Sequence, residues 1–346
     1  MTNQINSDSK SPLPETASFN ISNNVLAKTS FKRITSIALD VLKICTPLVF
    51  TSLFLPAKIG LGLGALFSTL LTLKIAPKYF KPKANIPSLS KETDDSLWKM
   101  LFKKTCEEAS SVEFLSPFNV HHRFDNVYCP KNSAVKINDK YLHANFVGKN
   151  ICSGVYVASQ APLNEDLPLF WQFVFEGNFS IIDLTSEVDQ EEEDLQYYPA
   201  LPETIRFYDK IDLFLKRKLD IVYEYEIEDL SSNTKKTVTR INYDKWPDAK
   251  AIELSDLKDL IFKIKAHCKG GLCVHCRAGI GRTGTLITAL ILEEKIKKGE
   301  IDKDNFEQEL INIIVHCRKE RSESFVQTRH QFSLLRKYGN ELLNSL

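Results

Sequence analysis

The sequence predicts an α/β (α+β) protein, a twisted mixed β-sheet flanked by helices and preceded by a helical membrane hairpin. Three observations predict it. Strand-like runs follow one another from about residue 120 to 245, and helical patterns return from 252 to the C-terminus. Between two of those helical patterns, "GLCVHC" passes through the loop "RAGIG" into "RTGTLITALILEEKIKK", a strand, a turn and a helix in the order that builds α/β sheets. Ahead of all this lies a long tract almost free of charge.

The bulk numbers narrow the function. The chain has 346 residues, 43% hydrophobic and 26% charged, a globular balance. A net charge of +1 gives no reason to expect a nucleic-acid partner. The 8 cysteines imply no disulfides without a secretory context, so the expectation is a reducing compartment. Cys273 and Cys276 form a C-x-x-C, but Cys273 falls in an apolar run that reads as a buried strand, which argues against a redox pair. No paired CxxC suits zinc, and no metal or cofactor is expected.

Residues 1–33 are rich in Ser, Asn, Thr and Pro and read as a disordered tail. The apolar tract begins too late for a cleaved signal peptide. Residues 44–57 carry no charge, Lys58 follows, and residues 59–73 are again uncharged. Each lobe is shorter than the ~20 residues of a full span, and neither has the polar face of a soluble helix. Lys28, Lys32 and Arg33 precede the tract, and Lys74, Lys78, Lys81 and Lys83 follow it. Positive charge at both ends keeps both ends on one side, so residues 34–79 read as a hairpin that enters a membrane and returns. Its composition is similar to the anchors of inclusion-membrane proteins from vacuole-dwelling bacteria. A buried helical pair in a soluble core is the alternative. Residues 80–93 are a Pro/Lys/Ser linker, and the globular domain is expected over 94–346.

Within it, "DDSLWKMLFKKTCEEASSVEFL" predicts a helix with Asp94 or Asp95 near its start. Strands are expected in "GVYVASQ", "FSIIDLT", "LPETIRFYDKIDLF", "DIVYEYEIEDL" and "KTVTRINY", with a helix at "LFWQFVFEG". Further helices are expected in "ELSDLKDLIFKIKAHC", 282–298, 303–319 and 327–344.

The loop carries the chemistry. Gly279 and Gly281 let the backbone turn tightly with its amides inward, and the loop opens onto a helix N-terminus, which attracts anions. Arg282 adds a planar fork matched to two phosphate oxygens. The same field favours the anion of the Cys276 sulfur, making it a nucleophile. His275 orients the loop, and the Thr283 hydroxyl is expected to donate to the sulfur. Asp248 follows Trp246 and Pro247 in "YDKWPD", just after a strand. A thiolate attacking phosphorus needs an acid for the departing oxygen, and Asp248 on a closing loop, with Trp246 as its anchor, would serve as acid and then as base.

"HCRAGIGRTG" resembles the HC-x5-R signature of the tyrosine-specific, cysteine-dependent protein phosphatases, and the likeness runs over roughly residues 95–345. "HANFV" is similar to that family's "NAS" strand, "ASQAPL" to "ATQGPL", "FWQFVFE" to "FWxMVWE", "YYP" to "YWP", "YDKWPD" to the mobile acid loop and "FVQTRHQF" to "VQTxxQY". The resemblance implies phosphotyrosine hydrolysis on proteins, with Cys276, Arg282 and Asp248 catalytic and His275 and Thr283 assisting. Gln331 or Gln327, four apart on an expected helix, would position the hydrolytic water. Arg277, Ala278, Gly279, Ile280 and Gly281 would bind phosphate, and Phe124, Asn126 and Trp246 would complete the substrate site.

Departures from the family pattern concern recognition. In "HHRFDN" Phe124 replaces a tyrosine but keeps a ring face, and Asn126 stands where an aspartate often binds the substrate backbone. The loop "EVDQEEED" is acidic, with Asp189 in the place of a glutamate that braces Arg282 and no basic partner. "WPDAKA" lacks the aromatic-Gly after the aspartate. A phosphoinositide phosphatase and a membrane-tethered phosphotyrosine-binding module with negligible turnover are the alternatives; neutral Ile280 in the loop favours a singly phosphorylated aromatic substrate. The expected setting is a membrane surface with the catalytic domain in a reducing cytosol, with secretion into a host vacuole or inclusion membrane as a second address.

Overall fold

The computed structural model describes residues 93–109, 111–193, 198, 204–207 and 210–346. The expected tail 1–33, the hairpin 34–79 and nearly all of the linker 80–93 lie outside the described residues, as do Tyr197 and Pro199 of "YYP". Among the described residues no helix is long and apolar enough to cross a membrane.

Chain order is α1 (Asp94–Ala109), β1 (Ala134–Ile137), β2 (Lys140–Val147), β3 (Tyr156–Gln160), α2 (Leu167–Gly177), β4 (Phe179–Asp183), α3 (Glu187–Glu193), β5 (Thr204–Phe207), β6 (Ile211–Leu219), β7 (Val222–Asp229), β8 (Thr234–Asn242), α4 (Leu254–His267), β9 (Gly271–Cys276), α5 (Arg282–Lys297), α6 (Phe306–Glu320) and α7 (Arg329–Ser345). The mixed sheet has the order β1-β2-β3-β9-β4-β8-β7-β6-β5. Its centre, β3, β9, β4 and β8, is parallel, and its flanks are antiparallel.

That centre positions the site. Gln160 pairs with Cys276, Asp183 with His275 and Asp183 with Asn242, so four parallel strands end at one level. Open α/β sheets bind ligands at the carboxyl ends of their strands. Strands β3, β4 and β9 are buried almost throughout because helices cover both faces, while β8 is buried only toward its carboxyl end. One face packs on α1 and α4 to α7, with Leu97, Leu260, Ile287, Ile314 and Leu335 in one cluster. The other packs on α2, with Phe170, Trp171 and Val174.

Asp94 and Asp95 stand in the first turn of α1, near its start as expected, and Thr93 caps it, its Oγ1 accepting from the Ser96 amide at 3.3 Å. The sequence expectations differ from this in three places. "LPETIRFYDKIDLF" divides into β5 and β6. The acidic segment read as a loop begins with the short helix α3. Ser186 and Asp189 cap it reciprocally, the Asp189 amide donating to Ser186 Oγ at 3.2 Å and the Ser186 amide to Asp189 Oδ2 at 2.8 Å; this is a capping box, and the spacing was present in the sequence. The last helix starts at Arg329, two residues later than expected.

Cys273 and Cys276, three apart on β9, face opposite sides of the sheet and pack in different clusters. Both are free thiols, and burial pushes the Cys273 thiol up to about 12. The alternation of the strand excludes a redox pair.

Behind the strand ends sits a buried ion pair. Asp183 Oδ2 accepts from Arg240 Nη2 at 2.6 Å, and the guanidinium lies 3.6 Å from the Tyr198 ring centroid. Burial raises the Asp183 carboxyl, yet His275 and Arg240 hold it below the ordinary range. A depressed carboxylate contributes stability above its unfolded value of about 3.9, and that contribution is lost as pH falls through the folded value. Asp183→Ala strands a buried guanidinium and is expected to destabilise the domain by about 3–5 kcal/mol, read as a shift in the urea midpoint at pH 7. Asp183→Asn is expected to flatten the loss of stability below about pH 4.

Candidate active site

The loop 277–281 joins β9 to α5 and is folded by what holds its carbonyls. The Arg277 carbonyl accepts from the Ala161 amide at 3.0 Å, that of Ile280 from the Val326 amide at 3.1 Å, and that of Gly281 from the Thr285 amide at 2.9 Å. The Ala278 and Gly279 carbonyls accept from Arg321 at 2.9 and 3.1 Å. Five successive carbonyls therefore point outward. The amides of Ala278, Gly279, Ile280 and Gly281 donate to no group among the described residues, which leaves a ring of donors at the N-terminus of α5. Gly279 has φ +70°, and a Cβ there would meet the Ser159 carbonyl oxygen at 2.0 Å, so the turn requires glycine.

Cys276 ends β9, is 2% exposed and lies at the base of this ring. Arg282 is fully buried. Its Nη1 donates to Asp189 Oδ2 at 2.5 Å, to the Leu184 carbonyl at 2.9 Å and to the Trp246 carbonyl at 3.1 Å, and its Nη2 donates to Asp248 Oδ1 at 2.9 Å. Burial works against the guanidinium's charge, but the Cys276 sulfur and Asp189 override it and raise its pKa. Asp189 thus braces Arg282, as expected. Its own carboxyl, which burial raises, is held below the ordinary range by Arg282 and Ser186.

The acid loop is closed. Asp248 reaches Arg282 while its side chain remains 51% exposed. Trp246 is fully buried in the core, its Nε1 donating to the Lys250 carbonyl at 2.9 Å. Trp246 therefore anchors the loop and touches no substrate, which corrects its place among the binding residues. Ala249, where the aromatic was missed, takes φ +53°, a left-handed conformation that costs a non-glycine residue about 1–2 kcal/mol.

His275 is fully buried, with Nε2 3.3 Å from the Tyr198 hydroxyl and Nδ1 3.7 Å from Asp183. Burial lowers its pKa, against Asp183 and the Cys276 backbone, which favour its charge. The Thr283 hydroxyl is buried and bonds to nothing among the described residues, so the expected bond to the sulfur is not made in this state. Gln331 and Gln327 do not share a helix face. Gln327 precedes the cap residue Thr328, beyond a left-handed Val326. Gln331 is buried with its amide fully used: Oε1 accepts from the Gln327 and Thr328 amides, and Nε2 donates to the Lys250 carbonyl. It closes the capping box of α7 and ties it to the acid loop. Gln327 is exposed, with Oε1 2.7 Å from where a Cβ on Gly281 would stand, which leaves it as the water-positioning candidate.

Arg123 holds the recognition segment to the end of β3, its Nε donating to the Ala161 carbonyl at 3.2 Å and its Nη2 to that of Pro162 at 3.1 Å. Phe124 is half-buried, with the Arg277 guanidinium 5.5 Å from its centroid. Asn126 is exposed beside it. Among the described residues no group of three His, Cys, Asp or Glu is placed to hold a metal ion.

Sequence reasoning missed Arg321. It is fully buried, and besides the two loop carbonyls it donates to Asn145 Oδ1 at 2.7 Å and contacts His143 Nδ1 at 3.1 Å. Burial lowers its pKa, opposed by the Cys129 and Cys276 sulfurs. Arg321→Met frees the loop carbonyls. A catalytic loop displaced by about 1 Å costs on the order of 10²-fold, so kcat/KM on an aryl phosphate is expected to fall by that factor, with weaker inhibition by inorganic phosphate and an unchanged far-UV dichroism spectrum.

Three tyrosine-protein phosphatases are similar to this chain in sequence. Mouse tyrosine-protein phosphatase non-receptor type 20 is 30% identical over 220 residues, covering 60% of this chain and 50% of its own. Human tyrosine-protein phosphatase non-receptor type 13 is 29% identical over 226 residues, 61% of this chain and 9% of its own. Tyrosine-protein phosphatase 2 of Dictyostelium discoideum is 27% identical over 223 residues, 60% of this chain and 55% of its own. The matched region spans about half the length of the mouse relative. The sequence profile described as protein-tyrosine phosphatase matches residues 119–339, a stretch that contains the cradle, the acid loop and both glutamines, and the chain belongs to the protein-tyrosine phosphatase family.

Proposed function

We propose that this chain hydrolyses phosphotyrosine on proteins in two steps. The Cys276 thiolate attacks phosphorus, forming a sulfur–phosphorus bond as the phosphorus–phenol oxygen bond breaks, and Asp248 gives its proton to the phenolate. Water, placed by Gln327 and deprotonated by Asp248, then attacks the cysteinyl-phosphate and releases inorganic phosphate and the thiolate. The inward amides and Arg282 hold the phosphoryl oxygens throughout, and preorganised donors of this kind are a large catalytic term. The Thr283 hydroxyl, bonded to no group among the described residues, is available to the departing sulfur. Phe124 offers a ring face to the phosphotyrosine ring.

The observation that carries this reading is the cradle itself, with a nucleophile at its base and an acid closed over it. The closed Asp248 favours turnover over a phosphate-binding module. The test is turnover by purified full-length protein of a phosphotyrosine peptide, a phosphoserine peptide and a phosphoinositide. The phosphotyrosine peptide is expected to be cleaved fastest; a faster phosphoinositide would overturn the substrate class, and no turnover of a simple aryl phosphate would leave a binding module.

The uncharged tract supports a second element of the proposal, attachment of residues 34–79 to a membrane with the catalytic domain on its reducing, cytosolic side, or on a host vacuole or inclusion membrane after secretion. Full-length protein is expected to stay with carbonate-washed membranes and a Δ1–85 form to leave them; release of both would remove the anchor.

A further inference from the structure

One groove on the catalytic domain has a volume of about 1090 Å³. It lies between the segment 118–121, the β1–β2 turn and the start of α2. Its floor is apolar, with Pro168, Leu169 and Phe175, and the Phe118 side chain stands at its lip 99% exposed. Five carboxylates line it against two lysines and His121. Asp166 is taken by His121 at 2.7 Å and Asp139 by Lys136 at 2.7 Å. Glu165, Glu176 and Asp229 have no ion-pair partner among the described residues.

The groove adjoins the cradle. The carbonyl of His121, on the groove wall, accepts from Gln160 Nε2 at 3.1 Å, while Gln160 Oε1 accepts from the Arg123 amide at 3.0 Å, and Gln160 is the strand partner of Cys276. Phe124 is three residues from His121, at most about 10 Å of extended chain. A substrate with its phosphotyrosine over Cys276 therefore reaches the groove within a few residues. On the other side of the cradle, Glu187 and Glu191 of α3 are exposed, so both flanks are acidic.

We infer that this groove docks a basic, partly apolar stretch of the same protein that carries the phosphotyrosine, its lysines or arginines facing Glu165, Glu176 and Asp229 and an apolar side chain meeting Phe118 and Leu169. The inference rests on the phosphotyrosine reading above and names its substrate class. Complementary charge at such a rim steers encounter and sets specificity.

The test uses full-length protein and four probes: p-nitrophenyl phosphate, and phosphotyrosine peptides with a neutral, a Lys-Leu-Lys or a Glu-Leu-Glu stretch three to six residues from the phosphotyrosine, on either side. The Lys-Leu-Lys peptide, on one side, is expected to show about tenfold higher kcat/KM than the neutral one, the size of two or three exposed ion pairs, and to lose the advantage in 0.5 M salt. The charge reversal Glu165→Lys/Glu176→Lys/Asp229→Lys is expected to abolish the preference and leave p-nitrophenyl phosphate turnover within about twofold. If that variant does not fold, Glu165→Gln/Glu176→Gln/Asp229→Asn is expected to reduce the preference at least threefold. Equal use of all peptides, a preference for Glu-Leu-Glu, or a basic preference that survives these substitutions overturns the inference, as does a concentration-dependent dimer abolished by the same changes, which would give the groove to a second copy. Should p-nitrophenyl phosphate itself not turn over, the activity reading falls, and fluorescence anisotropy of the same peptides decides the groove by the same ranking.

Discussion

Cys276→Ser abolishes turnover of phosphotyrosine peptide and aryl phosphate alike, a loss on the order of 10⁴-fold or more if removal of a nucleophile behaves as it does elsewhere. A hydroxyl at the base of the cradle is far harder to ionise than a thiol, and the field of the α5 N-terminus and Arg282 does not bridge that gap. The donors are untouched by the change, because the carbonyls of residues 277–281 are held by Ala161, Arg321, Val326 and α5 rather than by the sulfur. Phosphate binding should therefore survive. Stopped turnover with retained affinity for phosphate, measured by calorimetry, is the expected pair of results; residual turnover within tenfold of the parent would remove Cys276 as nucleophile.

Asp248→Asn lowers kcat on a phosphotyrosine peptide by about 10²–10⁴-fold, the usual range for a positioned acid, with little change in KM. The amide keeps the shape of the side chain and can still accept from Arg282, so loop closure persists while the proton is lost. The size should depend on the leaving group. Tyrosine, with a pKa of about 10, departs poorly as its anion, whereas a more acidic phenol needs little help, so the loss shrinks across a series of increasingly acidic aryl phosphates. A loss that is the same for every phenol would mean that Asp248 acts through the loop's position and not through its proton.

Much of this site was legible in the sequence because its reacting groups lie on two short contiguous stretches, "HCRAGIGRTG" and "KWPD". A chain that must turn tightly, expose amides and enter a helix has few residue choices, and those choices show. What was not legible depends on alignment between distant strands. Asp183, Arg240 and Tyr198 become one cluster only because β4 and β8 end level with β9. Arg321 looks in sequence like one more cation in "CRKERSESF"; only the fold reveals that it is buried with no carboxylate partner among the described residues and spends two of its donors on the loop. The four-residue spacing of Gln327 and Gln331 predicts one helix face, whereas Val326 turns the chain left-handed and Gln327 stands outside α7. Trp246, expected both as the anchor of the acid loop and beside the substrate, is drawn into the core, as suits an indole of that size next to an apolar sheet end.

The pairing of Gln160 with Cys276 and of Asp183 with His275 has a consequence for how this protein can vary. Side chains on a strand alternate, and a slip of one residue reverses every facing. Removing one residue anywhere between Gly271 and Val274 would swing the sulfur to the side now occupied by the imidazole and turn the imidazole to the opposite face, leaving neither beneath the ring of amides. Indels in β9 are thus forbidden more strictly than most substitutions, whereas the β6–β7 hairpin, far along the same sheet, tolerates changes of length. Deep mutational scanning with single-codon deletions should draw that boundary directly.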